Sequence, residues 1–397
     1  MKVKLIKDPI HGYIELNEHE VRIIDTAAFQ RLRRIIQLPL AYLVYPGARH
    51  SRFDHSLGSF HLAKEFATHL GLEEYRRRVL TVAALLHDIG HTPYSHLLEA
   101  ILLENSMTHE DMSIRLIKEE TELASAIESY DIRIRDVVDV LEKRLPESAV
   151  IIGPMDVDKM DFLVRDSYFT GAMYGMIDTR RIIRLSAFVE GRLAVNIRGL
   201  GAIEEMAIAR LQSFLNIYFH HATRGAQQLL LNAARQLSEE LDFPRMTVEE
   251  YLEHDDISVW SLLKRNEKTR GVIKRLERRI LPKRVYETRL IGGKTPARLL
   301  SDKELQHSIA TSIASRAGLR RELVWIDTPY VPPLPMEEPS AVIFFSEDDG
   351  ERRIVNVSSP FLQQVSEIYN IVRVYTDSHE REKVARAAAE IFGQPQL

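Results

Sequence analysis

The segment Leu85-Leu86-His87-Asp88-Ile89-Gly90-His91 sets a histidine and an aspartate side by side at the end of an apolar run. Burying that pair is costly unless something binds it. A divalent cation satisfies both. Imidazole nitrogen and carboxylate oxygen suit Mn, Fe, Co, Ni or Zn, and support Mg where phosphate adds oxygens. Neighbouring side chains on a helix diverge by about 100°, so His87 and Asp88 reach one ion only at a helix end or where helices cross. Gly90 and Pro93 suggest such an end; if the helix continued, His91 would share a face with His87. Further ligands must come from elsewhere. The candidates are His55, in Arg52-Phe53-Asp54-His55-Ser56, and an acid of Asp156-Val157-Asp158-Lys159-Met160-Asp161. Eight of the 15 histidines fall between His50 and His109. Among them His91, His96 and His109 are candidates for proton transfer, because imidazole titrates near neutral pH.

The elements that must position these groups are mostly helical. Lys2 to Leu16 reads as two short strands about Asp8-Pro9-Ile10-His11-Gly12. From Glu20 to about Ile280 the apolar period is that of helices, with single stripes over Met112–Ile127, after the start signal Thr108-His109-Glu110-Asp111, and over Val157–Tyr168. A hairpin around Glu190-Gly191 interrupts them, and long helices resume over Ala202–Leu241 and Val248–Leu263. Beyond Leu281-Pro282 five strand-like runs appear: Arg284–Ile291, Leu323–Ile326, Ala341–Phe345, Arg353–Val357 and Ile371–Tyr375. A proline-rich loop spans Thr328–Pro335. The expected fold is mainly α: a helical bundle with small β-hairpins over residues 1–281, then a smaller α+β C-terminal lobe over 282–397, read as an oligomerisation or regulatory lobe.

Composition narrows the partners. A net charge of −4 does not indicate bulk attraction to nucleic acid or anionic membrane. The absence of cysteine excludes disulfides and thiolate metal sites. No apolar run is long enough to span a bilayer, and Met1-Lys2-Val3-Lys4-Leu5-Ile6 is not the start of a signal peptide. A cytoplasmic protein is expected.

His55, His87-Asp88 and Asp158 match the H…HD…D signature of the HD-domain metal-dependent phosphohydrolases. The likeness is carried further by Asp8-Pro9-Ile10-His11-Gly12, Phe29-Gln30-Arg31-Leu32-Arg33, Tyr45-Pro46-Gly47-Ala48, Arg52 to Gly58, His87 to His96, Thr108-His109-Glu110 and Asp156 to Asp161. Together these resemble the deoxynucleoside triphosphate triphosphohydrolase group, with good coverage from Lys2 to Leu241. The resemblance implies an HD-domain bundle, a metal held by His55, His87, Asp88 and Asp158, and additional Mg arriving with the nucleotide. It implies attack on the α-phosphate, releasing a deoxynucleoside and inorganic triphosphate. Arg52, Lys159 and Arg210 match phosphate contacts of the family. His96 matches its proton donor, and His91 and His109 match groups that support the transition state. Gln37 and Asp166 match contacts to the sugar 3′-hydroxyl, and Tyr218 a residue that crowds the 2′ position. Phe162 replaces a family tyrosine, keeping the stacking surface but losing a hydroxyl, which weakens discrimination. Asp25 and Arg33 match residues that read an activator guanine nucleotide, which implies a homo-oligomer, dimer or tetramer.

Two other readings compete. One is an HD-type phosphatase acting on nucleoside monophosphates or other phosphoesters, for which the cationic set Arg52, Lys159 and Arg210 is more than is needed. The other is a non-catalytic nucleotide or nucleic-acid sensor, against which the complete histidine set counts.

Overall fold

The computed structural model describes residues 3–291, 302–331, 342–360, 362 and 369–394. At its start, Asp8 Oδ1 accepts from the backbone N–H groups of Ile10 and His11, both at 2.8 Å, closing the expected hairpin. Strands β1 (Lys4–Asp8) and β2 (Gly12–Leu16) pair antiparallel, Lys4 opposite Leu16. Ile14 and Leu16 point into the core while Leu5 and Tyr13 stay exposed, the alternation that a half-buried strand pair requires.

Three helices position the metal-type residues. Helix α1 (Arg52–His69) starts in a capping box between Ser51 and Asp54. It packs against α2 (Glu74–Leu86) and against a later helix, Val157–Thr170. Val79 to Leu86 is buried without interruption, so α2 is a central helix and not an amphipathic one. Helix α3 (His109–Glu119) opens on a second capping box, Thr108 with Asp111. The single stripe expected over Met112–Ile127 is two helices. Glu120 leaves the helical region (ψ 115°), and its side chain caps the next helix, Thr121–Glu128. Helix α4 (Val157–Thr170) begins at Asp156, whose side chain accepts from Lys159 N–H, and stops at Gly171.

The Glu190–Gly191 hairpin forms as expected, from β3 (Ser186–Val189) and β4 (Arg192–Asn196). The long stretch Ala202–Leu241 does not form one helix. Helix α5 (Leu200–Ser213) widens into a π-turn over Phe214–Tyr218 before α6 (His221–Arg235), and that distortion turns Arg210, Phe214 and Tyr218 toward one cavity. Val248–Leu263 is likewise split, into a short helix Val248–Leu252 and α7 (Asp256–Arg265).

The C-terminal strands divide between two sheets. Strands β5 (Lys283–Ile291), β6 (Val324–Asp327), β7 (Tyr330–Val331) and β10 (Tyr369–Thr376) form one, with order β5-β10-β6 and β7 also pairing β10. Two helices, Lys303–Ala317 and Arg381–Phe392, cover it around a small core of its own, including Tyr286, Ile313, Val374 and Val384. The hairpin of β8 (Phe344–Asp348) and β9 (Glu351–Val355) instead returns to the bundle, where β8 runs parallel to β4 with Val195 opposite Phe344. Phe344 and Leu362 belong to the main core. The end of the proline-rich loop, 332–335, lies outside the described residues. Among the described residues no helix is long and apolar enough to cross a membrane.

Candidate active site

Helix α2 ends at Leu86, so His87 and Asp88 sit in the turn that leaves it. Ser113 of α3 fixes that turn, accepting from Gly90 N–H at 2.9 Å and donating to the His87 carbonyl at 2.8 Å. Gly90 is required there. A Cβ would lie 2.1 Å from Ser113 N and 2.4 Å from the His109 carbonyl oxygen, both backbone atoms.

The turn meets α1 and α4 at one point. Donor atoms of His55, His87 and Asp88 lie within 4.8 Å of one another. Asp158 Oδ1 joins them, 3.0 Å from His55 Nε2 and 3.7 Å from His87 Nε2. Each imidazole is committed on its far side. His55 Nδ1 donates to Asp161 Oδ2 at 2.8 Å, and His87 Nδ1 to the Ala84 carbonyl, also at 2.8 Å. In the neutral tautomers that these bonds select, both Nε2 atoms present a lone pair, and both are buried with no hydrogen-bond partner. Such orphaned atoms beside two carboxylates fit a cation and are costly without one. Burial alone would raise the Asp88 carboxyl, but His87 and the Arg52 guanidinium hold it well below the usual carboxylate range.

Behind His55 lies a charged layer that spacing gave no sign of. Asp161, named as a candidate ligand within its acidic run, faces away from the cation position. It accepts from His11 Nε2 at 2.7 Å and from Arg165 Nε and Nη2 at 2.8 Å each, while Arg165 Nη1 reaches Asp8 at 2.8 Å. The first hairpin thus braces a metal-type histidine through one buried carboxylate.

His91, His96 and His109 form a second cluster. The rings of His91 and His109 stack with centroids 4.0 Å apart, and His96 stands edge-on to both. Glu99 joins two of them, accepting from His96 Nδ1 at 2.7 Å and from His109 Nδ1 at 2.5 Å. Sequence reasoning missed Glu99; its position three residues after His96 was the available signal. Burial, with the charges of Arg52 and His109, holds the His91 imidazole well below its ordinary pKa and keeps it neutral. Burial also acts to lower His109, but the Glu99 carboxylate outweighs it and raises the group.

Residues 52–161 match the family model of the HD domain, and residues 177–396 that of the HD associated region. The chain is 34% identical over 360 residues to an uncharacterised protein of Methanocaldococcus jannaschii, across 90% of this chain and 75% of that one. The chain belongs to the HD-domain phosphohydrolases. It is also 30% identical over 351 residues to the deoxynucleoside triphosphate triphosphohydrolase SAMHD1 of Homo sapiens, across 73% of this chain and 56% of that protein. It thus spans little more than half the length of that relative. The fold is similar to the crystal structure of a hypothetical protein from Aquifex aeolicus, with a TM-score of 0.81 and 28% identity, covering 97% of this chain and all of that one.

In this HD-domain phosphohydrolase a cavity of about 690 Å³ opens beside the metal-type residues. Gln37, Arg52, Lys159, Phe162, Asp166, Arg210 and Tyr218 all line it, together with Asp88, Asp158, His96 and His109. Arg52 bridges the two clusters, donating from Nη1 to Asp88 Oδ2 at 2.6 Å and from Nε to Ser95 Oγ at 3.0 Å. Lys159 Nζ is held by Asp156 at 2.6 Å. Asp166 accepts from His50 Nε2 and from the Tyr218 hydroxyl, both at 2.7 Å, so its carboxylate is already oriented. Gln37 Oε1 is buried without a partner. Asp25 and Arg33 are exposed and do not line this cavity. Arg33 stacks 3.5 Å over the Phe53 ring and donates to Gln30.

Proposed function

We propose that the protein hydrolyses deoxynucleoside triphosphates to deoxynucleoside and inorganic triphosphate. The observation that carries this reading is the convergence of Gln37, Arg52, Lys159, Phe162, Asp166, Arg210 and Tyr218 on one cavity with Asp88 and Asp158 at its wall. The triphosphohydrolase named among the relatives supports the substrate class.

His55, His87, Asp88 and Asp158 would hold the divalent cation, which when bound lowers the pKa of water and offsets charge at phosphorus. Arg52, Lys159 and Arg210 supply the positive charge that a triphosphate needs, Arg as a fork and Lys as a point charge. A water molecule gives up a proton to solvent as its oxygen bonds to the α-phosphorus, and the bond to the sugar 5′-oxygen breaks. His96 gives that oxygen its proton from Nε2, with Nδ1 held by Glu99. Neutral His91 packs behind and keeps the His109 ring in place. At the sugar end, Gln37 Oε1 accepts from a hydroxyl, and Tyr218 limits the space beside it. Asp25 and Arg33 take an activator nucleotide at a subunit contact in the same proposal, to be checked by particle size with and without GTP.

The test is product analysis. The protein is incubated with each dNTP and NTP in Mn, Mg or Co, alone and with GTP. Nucleoside plus triphosphate from dNTPs is expected. Orthophosphate release instead would select the monophosphatase reading, and no turnover under any condition the sensor reading. His87→Ala with Asp88→Ala should abolish turnover and metal binding while helix content by circular dichroism is kept. Full turnover in that variant would remove the site assignment.

A further inference from the structure

The first turn of α7 touches the catalytic loops from outside the segment that matches the HD domain. Asp256 is buried at its start. Its Oδ1 accepts from the Tyr94 backbone N–H at 2.6 Å and its Oδ2 from the Ile36 backbone N–H at 3.0 Å. The Tyr94 hydroxyl donates back to the Asp256 carbonyl at 2.9 Å. Tyr94 and Ser95 both occupy the left-handed region, with φ of 58° and 51°. Residues with a Cβ adopt it rarely and at a cost, and hold it only where surroundings impose it. His96 follows at once. Ser95 Oγ donates to the Ile36 carbonyl at 2.8 Å while accepting from Arg52 Nε. Ile36 in turn precedes Gln37, the residue with the unpartnered cavity oxygen. One carboxylate therefore joins two loops that share no helix, and each leads directly into a cavity residue.

We propose that Asp256 is a positioning residue that ties the left-handed Tyr94–Ser95 turn to Ile36 and so sets His96 and Gln37 in one cavity. Its effect on turnover rests on the reading of His96 as proton donor; the tether itself does not. Burial raises the Asp256 carboxyl to about 7, so measurements belong on the alkaline side of neutrality, where it accepts twice. An amide at this position turns one acceptor into a donor facing a backbone N–H, and one loop is released.

The experiment pairs hydrogen–deuterium exchange with kinetics on the full chain, comparing wild type, Asp256→Asn, His96→Ala and the double variant. In Asp256→Asn, amides at 35–37 and 94–95 should exchange at least tenfold faster while those of α1 are unchanged. With dATP and Mn, kcat should fall at least tenfold with KM and metal content within about twofold of wild type. The double variant should be no worse than His96→Ala, as expected when two residues act through one step. Unchanged exchange at 94–95 would overturn the tether whatever the turnover. Faster exchange with wild-type kcat, while His96→Ala is impaired, would overturn its positioning role. Full turnover in His96→Ala would sink the proton-donor assignment alone, and exchange would still decide the tether. If Asp256→Asn does not fold, Tyr94→Phe removes the bond from the Tyr94 hydroxyl to the Asp256 carbonyl and must show the same pair of effects.

Discussion

Replacing Gly58 by alanine sets two rules of helix energetics against each other. Gly58 lies within α1, where alanine should stabilise by about 1 kcal/mol through helix propensity. The site forbids it. An added Cβ would lie 1.8 Å from Asp161 Oδ1 and 2.5 Å from both Asp161 Cγ and Arg165 Nη2. Asp161 and Arg165 are fully buried and hydrogen-bonded to each other, to His11 and to His55, so neither can yield without breaking a bond. Disrupting a buried ion pair costs about 3–5 kcal/mol. Subtracting the propensity gain leaves a net destabilisation of about 2–4 kcal/mol. At about 2 cal/mol/K of unfolding entropy per residue, a chain of 397 residues loses on the order of 1 °C per kcal/mol. Calorimetry should therefore find Tm lower by about 2–5 °C. Because Asp161 orients His55, Mn or Co affinity by titration calorimetry should fall about 10–100-fold. A Tm equal to or above wild type, with unchanged metal affinity, would refute the account of Asp161 as the brace of His55.

Three further outcomes follow from the same geometry. In Glu99→Gln, burial still lowers His96, the proposed proton donor, and His109, and both lose the carboxylate that acts to raise them; their protonated fractions near neutrality fall, so the alkaline limb of the kcat/KM profile should move to lower pH. Arg52→Lys cannot hold both Asp88 and Ser95; a loss of about 1–3 kcal/mol should appear as roughly 5–150-fold lower kcat/KM with metal content unchanged. Tyr218→Phe removes the hydroxyl that donates to Asp166, and the ratio of dNTP to NTP kcat/KM should fall about tenfold.

What could be read from the sequence was local, or was a long motif. The His87–Asp88 doublet at a helix end, the two hairpins and most strands follow from residue type and period, and the structure places them within a few residues. Helix lengths were overestimated wherever a polar side chain captured backbone donors, as Glu120 does, or a π-turn widened the coil, as at Phe214–Tyr218. Periodicity does not register either event, because both keep the apolar stripe. Glu99, the Asp161 layer and Asp256 stayed hidden for a different reason. Their partners lie far away in sequence or on another element, and a buried carboxylate looks like a surface one until its donors are known.

The return of β8 to β4 bears on how the chain is made. Val195 leaves its outer edge without a partner until Phe344 has been synthesised. At translation rates of roughly 5–20 residues per second, that interval is on the order of ten seconds or more. Throughout it a nascent polypeptide already holding both histidine clusters carries an open strand edge, a site at which aggregation can begin. Final closure of this sheet therefore waits on a late C-terminal segment, and a polypeptide released early from the ribosome would keep His55, His87 and Asp88 yet lack the strand that pairs with β4.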